Sequence, residues 1–253
     1  MYNPFSLAGK TILITGASSG IGKETAIVCS KLGANVVITG RNKDRLTDTY
    51  KSLDTESGQS HLCLVADLSS EEGVIELVSN MPKLDGVVSN AGFVIPSLIK
   101  FIKAEDMQKL MDTNTFSHVL LAKMLYKKKL LNNNGSYVFT ASIGGNFNYS
   151  LSNAMYGMTK SALNSFMKYC AVEFATKGIR CNSICPGMIE TPMNSNDGSF
   201  TKEDFELDTQ KYLLKRYGKP HEIAEPIAFL MSDASSFMTG HTMVVDGGVT
   251  INK

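Results

Sequence analysis

The feature that most constrains the fold is a regular alternation of short apolar runs with helical patterns along the whole chain. The runs are apolar nearly throughout, which is typical of strands covered on both faces. They occupy residues 11–15, 35–39, 62–65, 86–89, 136–140, 180–184 and 242–245. The helical patterns between them cover residues 21–32, 43–53, 71–80, 104–128, 154–177 and 221–231.

This alternation predicts a doubly wound, Rossmann-type α/β fold. The expected core is a mostly parallel seven-stranded sheet with helices on both faces. No linker rich in proline, glycine or serine divides the chain, so we predict one domain over residues 1–253. The segment 188–217 breaks the strand–helix rhythm directly after a strand, which indicates a helical lid over a site.

Composition and charge exclude several classes of protein. Basic and acidic residues nearly balance, 25 − 24 = +1, which gives no indication of a nucleic-acid or membrane-surface partner. No apolar run reaches the ~18–20 residues of a membrane helix. The cysteines form no CxxC pair and the histidines no i, i+4 pair, so we expect no metal site and a reduced, cytoplasmic protein.

A glycine-rich loop joins the first predicted strand to the first helix. Its sequence, TGASSGIG at residues 15–22, has the spacing G-x-x-x-G-x-G. Glycines let the backbone approach a pyrophosphate closely, and the N-terminus of the following helix offers unpaired N–H groups and a partial positive charge. The loop therefore predicts dinucleotide binding; the alternative is a tight turn that contains glycines by chance.

The end of the second predicted strand indicates which dinucleotide binds. An acidic residue there takes the ribose 2′-OH of NAD, whereas an arginine accommodates the 2′-phosphate of NADP. Gly40 stands where the acid is expected and Arg41 follows it, with Ser18 and Asn42 as further hydrogen-bonding candidates. Because a guanidinium matches phosphate geometry, we favour NADP(H) over NAD(H); the alternative is a solvated arginine.

Further motifs follow in order over residues 10–249, namely Asp67-Leu68, Asn90-Ala91-Gly92, Asn114, Ser142, Tyr156-x-x-x-Lys160 and Pro186-Gly187. With the glycine-rich loop, they resemble the motifs of the short-chain dehydrogenase/reductase family. The closing segment 239–248 resembles the 3-oxoacyl-[acyl-carrier-protein]-reductase-like branch. The resemblance implies hydride transfer between a nicotinamide and the carbonyl or alcohol carbon of a small molecule, with ketone reduction as the expected direction.

The resemblance also implies where each part of the cofactor lies. Asp67 and Leu68 should border the adenine, and Asn90 the adenosine ribose. The nicotinamide side should be lined by Pro186, Gly187 and Ile189, with Thr191 reaching the carboxamide or the phosphates. The full candidate set is Gly16, Ser18, Ser19, Gly20, Ile21, Gly22, Arg41, Asn42, Asp67, Leu68, Asn90, Ala91, Gly92, Tyr156, Lys160, Pro186, Gly187, Ile189 and Thr191. The competing interpretations are a turn cap for Asp67 and a helix N-cap for Thr191.

Tyr156 and Lys160 are the candidate proton-transfer pair. They are four residues apart on a predicted helix, which places them on one face with Cβ atoms ~5–6 Å apart. A free tyrosine has a pKa of ~10, and a nearby ammonium favours the tyrosinate. We therefore expect Lys160, together with the charge of an oxidised nicotinamide, to lower the pKa of Tyr156 toward neutrality. Tyr156 would act as general acid/base, and Lys160 would also hold the nicotinamide ribose hydroxyls.

Two further polar residues complete the candidate catalytic set. Ser142 follows a predicted strand at the carboxyl edge of the sheet, so it is the expected donor to the substrate carbonyl oxygen. Asn114 lies inside a helical pattern, where asparagine is a mediocre helix former. By resemblance its amide would hold a water near the lysine; the alternative is a packed, satisfied core asparagine.

The sequence says less about substrate and assembly. Candidate walls of an apolar substrate pocket are Gly144, Phe147, Tyr149, Met188 and Met193, although most of the methionines and phenylalanines could equally be core. The helical patterns 104–128 and 154–177 are longer than one core face needs, which predicts a homodimer or homotetramer, with a monomer as the alternative. Two other hypotheses are a 3-oxoacyl thioester as the substrate and a catalytically idle nucleotide-sensing protein.

Overall fold

The computed structural model describes residues 2–193 and 202–252. Every predicted apolar run forms a strand, and several strands extend beyond the predicted run. The strands are β1 (Thr11–Thr15), β2 (Asn35–Gly40), β3 (Leu62–Val65), β4 (Leu84–Ser89), β5 (Leu131–Thr140), β6 (Arg180–Pro186) and β7 (Thr242–Val245).

The strands form one sheet in the order β3-β2-β1-β4-β5-β6-β7, and every neighbouring pair is parallel. In the register of the central strands, Ile12 of β1 lies between Val36 of β2 and Gly86 of β4. The strand order reverses between β1 and β4, which is where an open α/β sheet forms a crevice at its carboxyl edge. The prediction of a doubly wound, seven-stranded α/β fold is confirmed.

The helices cover both faces of the sheet. They are α1 (Gly20–Lys31), α2 (Lys43–Lys51), α3 (Glu71–Ser79), α4 (Ala104–Met111), α5 (Ser117–Lys127), α6 (Ala154–Phe174), α7 (Lys202–Thr209) and α8 (His221–Met231). Because side chains alternate across a strand, Leu13 packs on the face covered by α3, α5 and α6. Its neighbours Ile12 and Ile14 pack on the opposite face, against α1, α2 and α8.

The predicted helix 104–128 is not continuous. A π-helical turn, Asp112–Phe116, separates α4 from α5 and carries Asn114 at its centre. Such turns add one residue to a helical segment and are frequent at functional sites. The apolar periodicity of the sequence did not reveal it, because the pattern is similar on both sides of the turn.

Parts of the predicted lid 188–217 fall in the described residues, and 194–201 lie outside them. Helix α7 is followed by a cluster in which Tyr212 and Tyr217 stack edge to face. The Tyr212 hydroxyl accepts a hydrogen bond from the Met188 backbone N–H at 3.1 Å, and the Tyr217 hydroxyl donates to Asp208 at 2.7 Å. This cluster joins the far part of the segment to the end of β6.

Two predicted absences concern membranes and metals. Within residues 2–193 and 202–252, no helix combines the length and apolarity that crossing a bilayer would require. The same residues contain no group of three or more His, Cys, Asp or Glu side chains arranged to hold a metal ion.

Candidate active site

The glycine-rich loop runs from the end of β1 to the start of α1 and is closely packed. A Cβ atom on Gly22 would lie 2.4 Å from the Gly16 carbonyl oxygen and 2.6 Å from the Asn90 side-chain nitrogen. Gly16 has a φ of +66°, and a Cβ there would lie 2.9 Å from the Ala91 Cα. Ser19, the N-cap residue of α1, makes no side-chain capping bond. The backbone N–H groups in the first turn of α1 therefore have no cap from the Ser19 side chain and face the glycine-rich loop. We call the backbone of this loop, residues 15–22, the cradle; its arrangement fits a pyrophosphate.

A second loop, residues 90–92, is fastened to this cradle by Thr15. The Thr15 hydroxyl accepts hydrogen bonds from the backbone N–H groups of Asn90, at 2.9 Å, and Ala91, at 3.0 Å. The Asn90 side chain donates to the Thr15 carbonyl at 3.2 Å. Sequence reasoning used Thr15 only as the start of a motif, since a hydroxyl that pairs across two strands leaves no local sequence signal.

The end of β2 brings together the residues predicted to select the dinucleotide. A Cβ on Gly40 would lie 3.4 Å from the Ser18 hydroxyl oxygen, so Ser18 faces the strand end that precedes the exposed Arg41. Asn42 is the N-cap of α2, and its side-chain oxygen accepts from the Arg45 N–H at 2.9 Å. Part of the Asn42 side chain is therefore committed to capping.

Asp67 follows β3 at the same edge of the sheet. Its partial burial alone would raise the pKa of the carboxyl group, but hydrogen bonds from Ser69 and the charge of Arg41 hold the pKa below its ordinary value. The Ser69 backbone N–H and hydroxyl donate to one Asp67 oxygen at 3.0 and 2.8 Å, the turn-capping arrangement considered as the alternative. Leu68 is buried behind it.

Tyr156 and Lys160 lie one turn apart on α6, as the spacing predicts. The Lys160 ammonium nitrogen is 5.8 Å from the centroid of the Tyr156 ring. Lys160 is only 3% exposed, and its nitrogen donates to the Thr140 carbonyl at the end of β5, at 2.9 Å. Burial lowers the pKa of Lys160 from its ordinary value of 10.5 to about 8, because a cation is costly away from water.

Ser142 reaches Tyr156 from the loop after β5. Its hydroxyl lies near the Tyr156 ring, because a Cβ on Gly144 would be 3.3 Å from the Ser142 oxygen and 4.0 Å from a Tyr156 ring carbon. The same hydroxyl accepts from the Gly144 backbone N–H at 3.0 Å. Burial nevertheless raises the pKa of Tyr156 to about 12, although the Ser142 hydrogen bond acts in the opposite direction. The expected lowering is therefore wrong for the chain's own groups, since desolvation penalises the phenolate.

Asn114 is fully buried in the π-helical turn and pairs with the loop after β4. Its side-chain nitrogen donates to the Phe93 carbonyl at 2.9 Å and to the Thr159 hydroxyl at 3.2 Å. Its oxygen accepts from the Phe93 N–H at 3.0 Å. Both polar atoms thus bind protein groups, as in the alternative of a packed, satisfied asparagine. A Cβ on Gly92 would lie 3.2 Å from this oxygen and 3.3 Å from the Lys160 nitrogen, so loop, asparagine and lysine are in contact.

The end of β6 forms the opposite side of the crevice. Gly187, which follows Pro186, donates its N–H to the Val245 carbonyl at 3.0 Å, and Ile189 is buried. A Cβ on Gly20 would lie 3.2 Å from the Thr191 methyl carbon. Thr191 therefore lies beside the glycine-rich loop; its predicted contact with the cofactor stays a prediction.

The residues predicted to line the substrate pocket differ in their exposure and in their distance from the reacting groups. Gly144 lies next to the reacting groups, because a Cβ there would be 3.3 Å from the Ser142 hydroxyl and 4.0 Å from the Tyr156 ring. Met188 is half-buried, whereas Phe147 and Met193 are each 47% exposed and Tyr149 is 81% exposed. The outer members therefore do not close a pocket in this structure.

A cleft of about 340 Å³ lies between the loops that precede α4 and α6, at the base of the helix that carries Tyr156. Its lining residues are Ser97, Leu98, Ile99, Lys100, Ser150, Leu151, Ser152 and Ala154. Sequence reasoning missed these residues, because they belong to loops whose approach is set by a hydrogen bond from the Ser97 N–H to the Ser152 carbonyl.

Comparison with known proteins agrees with this geometry. A model of the family described as Enoyl-(Acyl carrier protein) reductase matches residues 16–250. The 3-oxoacyl-[acyl-carrier-protein] reductase FabG of Rickettsia felis is 36% identical over 243 residues, which cover 96% of this chain and 98% of that protein. This chain belongs to the short-chain dehydrogenase/reductase family.

Two further similarities bear on this short-chain dehydrogenase/reductase. Glucose 1-dehydrogenase of Gluconobacter oxydans is 35% identical over 248 residues, 96% of this chain and 93% of that protein. The solved Pseudomonas aeruginosa RhlG/NADP active-site complex has a TM-score of 0.90 and 28% identity, and the match covers 99% of this chain and 100% of that one. The enzyme is therefore an oxidoreductase of CH–OH or carbonyl groups from a family that binds NAD(P).

Proposed function

We propose that the enzyme is an NADP(H)-dependent oxidoreductase that reduces a ketone or other carbonyl of a small molecule to a secondary alcohol, or catalyses the reverse. One observation carries the proposal: Ser142, Tyr156 and Lys160 converge beside a glycine-rich cradle whose Gly16 and Gly22 leave no room for a side chain. When bound, the reduced nicotinamide supplies the hydride.

In this proposal Tyr156 is the general acid/base. During reduction the carbonyl carbon accepts the hydride, and the carbonyl oxygen takes the phenol proton, so the product is a neutral alcohol. Burial raises the pKa of the phenol to about 12 in the chain alone, so Tyr156 is protonated at neutral pH and can act as the acid in reduction. Ser142 would donate a hydrogen bond to that oxygen as its charge develops.

Lys160 and Asn114 would each support the tyrosine. The Lys160 nitrogen is held by the Thr140 carbonyl, which leaves two of its protons for the nicotinamide ribose hydroxyls. Asn114 would position the loop against that lysine through its bonds to Phe93. The remaining proposed cofactor contacts are Gly16, Ser18, Ser19, Gly20, Ile21, Gly22, Arg41, Asn42, Asp67, Leu68, Asn90, Ala91, Gly92, Pro186, Gly187, Ile189 and Thr191.

The reaction is tested by coupling NADPH oxidation to a panel of ketones, sugars and 3-oxoacyl thioesters. Tyr156→Phe should lower kcat by about 10²–10⁴-fold because it removes the proton donor while keeping the ring. Tyr2→Phe is the control, since Tyr2 is 90% exposed and belongs to no candidate site. Equal rates for wild type and Tyr156→Phe would refute the assigned role. Tight NADPH binding with no turnover on any substrate would instead favour a nucleotide-sensing protein.

The preference for NADP(H) rests on Arg41. It is exposed beside Ser18 at the end of β2, where no acidic side chain stands to bind a ribose 2′-OH, and RhlG was solved with NADP. Arg41→Ala should weaken NADPH binding at least about tenfold and leave NADH binding unchanged, because only NADPH carries the 2′-phosphate. Arg45→Ala on α2 is the control for loss of a nearby exposed positive charge. Calorimetry that gives equal affinities for the two nucleotides in wild type would contradict the preference.

The 3-oxoacyl thioester is the specific alternative for the substrate, because the similar protein of R. felis is a 3-oxoacyl-[acyl-carrier-protein] reductase. The comparable similarity to a glucose 1-dehydrogenase supports a sugar equally well. In the substrate panel, a kcat/KM for a 3-oxoacyl thioester that exceeds every other value would establish the alternative.

We also propose that the enzyme is a cytoplasmic homodimer or homotetramer. The exposed outer face of α6 carries the large apolar residues Met158, Tyr169 and Val172, and all five cysteines are free thiols. Burying these side chains against another copy would remove apolar surface from water. Light scattering measures the assembly directly, and a monomeric mass at micromolar concentration would contradict this part of the proposal.

A further inference from the structure

A buried histidine lies directly beneath the loop at residues 90–93. His118, in the first turn of α5, is 1% exposed, and both of its ring nitrogens have partners. Nε2 lies 2.8 Å from the Ala91 carbonyl oxygen, and Nδ1 lies 2.5 Å from the Ser89 hydroxyl at the end of β4. The ring therefore spans from the sheet to the loop.

The partners define the protonation state of this ring. A carbonyl oxygen can only accept, so Nε2 carries the proton and donates it to Ala91. Burial and the positive charge of Lys160 lower the pKa of His118 to about 3, so the ring is neutral at physiological pH. Nδ1 of a neutral ring then accepts from the Ser89 hydroxyl, and both hydrogen bonds are satisfied by one tautomer.

His118 and Asn114 act on the same stretch of backbone. They are four residues apart across the junction of the π-helical turn and α5, and they bind the carbonyl of Ala91 and both backbone groups of Phe93. Gly92 lies between these two attachment points, with the Lys160 nitrogen 3.3 Å from the position of a Cβ on Gly92. A displacement of Ala91 would therefore be transmitted through Gly92 to the lysine.

We propose that His118 is a positioning residue, which together with Asn114 fixes the loop 90–93 against Lys160 and the nucleotide cradle. The proposal rests on the proposed function, since the loop is assigned there to the cofactor. It adds a residue for which the sequence offered no signal, because His118 belongs to none of the motifs and contacts the loop only through a backbone carbonyl.

Three substitutions separate the two hydrogen bonds of the ring. His118→Leu removes both. In His118→Gln the amide nitrogen is as many bonds from the backbone as Nε2 of histidine, so it can still donate to the Ala91 carbonyl. In His118→Asn the amide is one bond shorter, so it can reach only toward the Ser89 hydroxyl. We expect the Kd for NADPH to rise about tenfold in His118→Leu and His118→Asn, and His118→Gln to recover most of that loss.

Hydrogen exchange of the chain without nucleotide provides a second measurement. The Ala91 and Phe93 amides donate to Thr15 and Asn114, so we expect both to exchange about tenfold faster in His118→Leu and at nearly the wild-type rate in His118→Gln. Leu125→Ala is the control, because Leu125 is buried on the same helix away from the loop. It should lower the Tm without selective exchange at residues 90–93.

Failure of the His118 proposal and failure of the proposed function give different results. The proposal is overturned if His118→Leu and Leu125→Ala, compared at equal loss of Tm, weaken NADPH binding equally, or if His118→Gln is as impaired as His118→Leu. A wild type that binds neither NADPH nor NADH would refute the proposed function. The exchange rates would then still decide whether His118 holds the loop.

Discussion

The inner and outer parts of the site are built in different ways. The inner part consists of a backbone cradle and buried side chains on the π-helical turn, α5 and α6, with Lys160 at 3% exposure and Asn114 fully enclosed. The outer part consists of loops whose side chains face solvent, with Phe147 and Met193 at 47% exposure and Tyr149 at 81%. Packing therefore determines the geometry of the reacting groups, whereas little in the fold restrains the residues that would meet the rest of a substrate.

The similar proteins do not single out one substrate. The 3-oxoacyl-[acyl-carrier-protein] reductase of R. felis and the glucose 1-dehydrogenase of G. oxydans differ by one percentage point in identity to this chain. Their names give different substrates, so overall identity does not discriminate substrates. Substitutions should consequently have effects that decrease from the cradle outward.

The largest effect on cofactor binding is expected at Gly22. In Gly22→Ala the added methyl would lie 2.4 Å from the Gly16 carbonyl oxygen, and the loop would have to move away from α1. Because this backbone is the proposed site of the pyrophosphate, we expect NADPH affinity to fall roughly 100-fold, measured by fluorescence titration.

Gly58→Ala is the control for this substitution. Gly58 has a φ of +81° and a Cβ there would meet nothing within 4 Å, so the variant tests backbone strain without a clash. NADPH affinity should remain at the wild-type value. If Gly22→Ala bound NADPH as tightly as Gly58→Ala, the loop would not be the pyrophosphate cradle.

The next effect concerns stability and comes from burying a cation. The folded state lowers the pKa of Lys160 from 10.5 to about 8, so between these values the unfolded chain holds more protons than the folded one. The free energy of unfolding of wild type should therefore rise with pH across this window, relative to Lys160→Met, by about 3 kcal/mol. Below pH 8 the cost of burying the charge is fully present in wild type and absent from the variant.

Denaturant unfolding of both proteins at pH 7, 8, 9 and 10 measures this difference. The bond to the Thr140 carbonyl is lost in the variant at every pH, so it changes the offset between the two curves and leaves their relative slope unchanged. If the difference in the free energy of unfolding between the two proteins stayed constant from pH 8 to 10, Lys160 would not be appreciably desolvated. The inner part of the site would then be as open to water as the outer part.

Sequence patterns predicted the parts of the molecule that depend on local chemistry. Strand–helix alternation was sufficient for the sheet, and glycine spacing for the cradle, because both are properties of consecutive residues. The i, i+4 spacing placed Tyr156 beside Lys160 correctly but led to the wrong direction for the tyrosine's pKa. Spacing carries no information about desolvation, which depends on what covers the two residues.

The features that were missed leave no signal in consecutive residues. The π-helical turn around Asn114 adds a residue to a helix without disturbing its apolar pattern. Thr15 and His118 act through backbone carbonyls and N–H groups of distant segments, and such partners have no sequence identity of their own. Side chains that bind backbone are therefore invisible to motif reasoning, even when they lie at the centre of a site.

The smallest effect is expected at Tyr149, the most exposed member of the predicted substrate wall. Tyr149→Ala removes a ring that packs little in the folded chain, so the Tm should stay unchanged and NADPH affinity should match wild type. If the ring folds over a substrate, KM should rise about twofold with kcat unchanged, because only uniform binding is lost. Steady-state kinetics on the best substrate of the panel shows whether KM rises. Tyr2→Ala is the control, because Tyr2 is also exposed and is remote in sequence. A loss of kcat comparable to that of Tyr156→Phe would show that the outer wall takes part in the chemistry, and the division between the two parts of the site would fail.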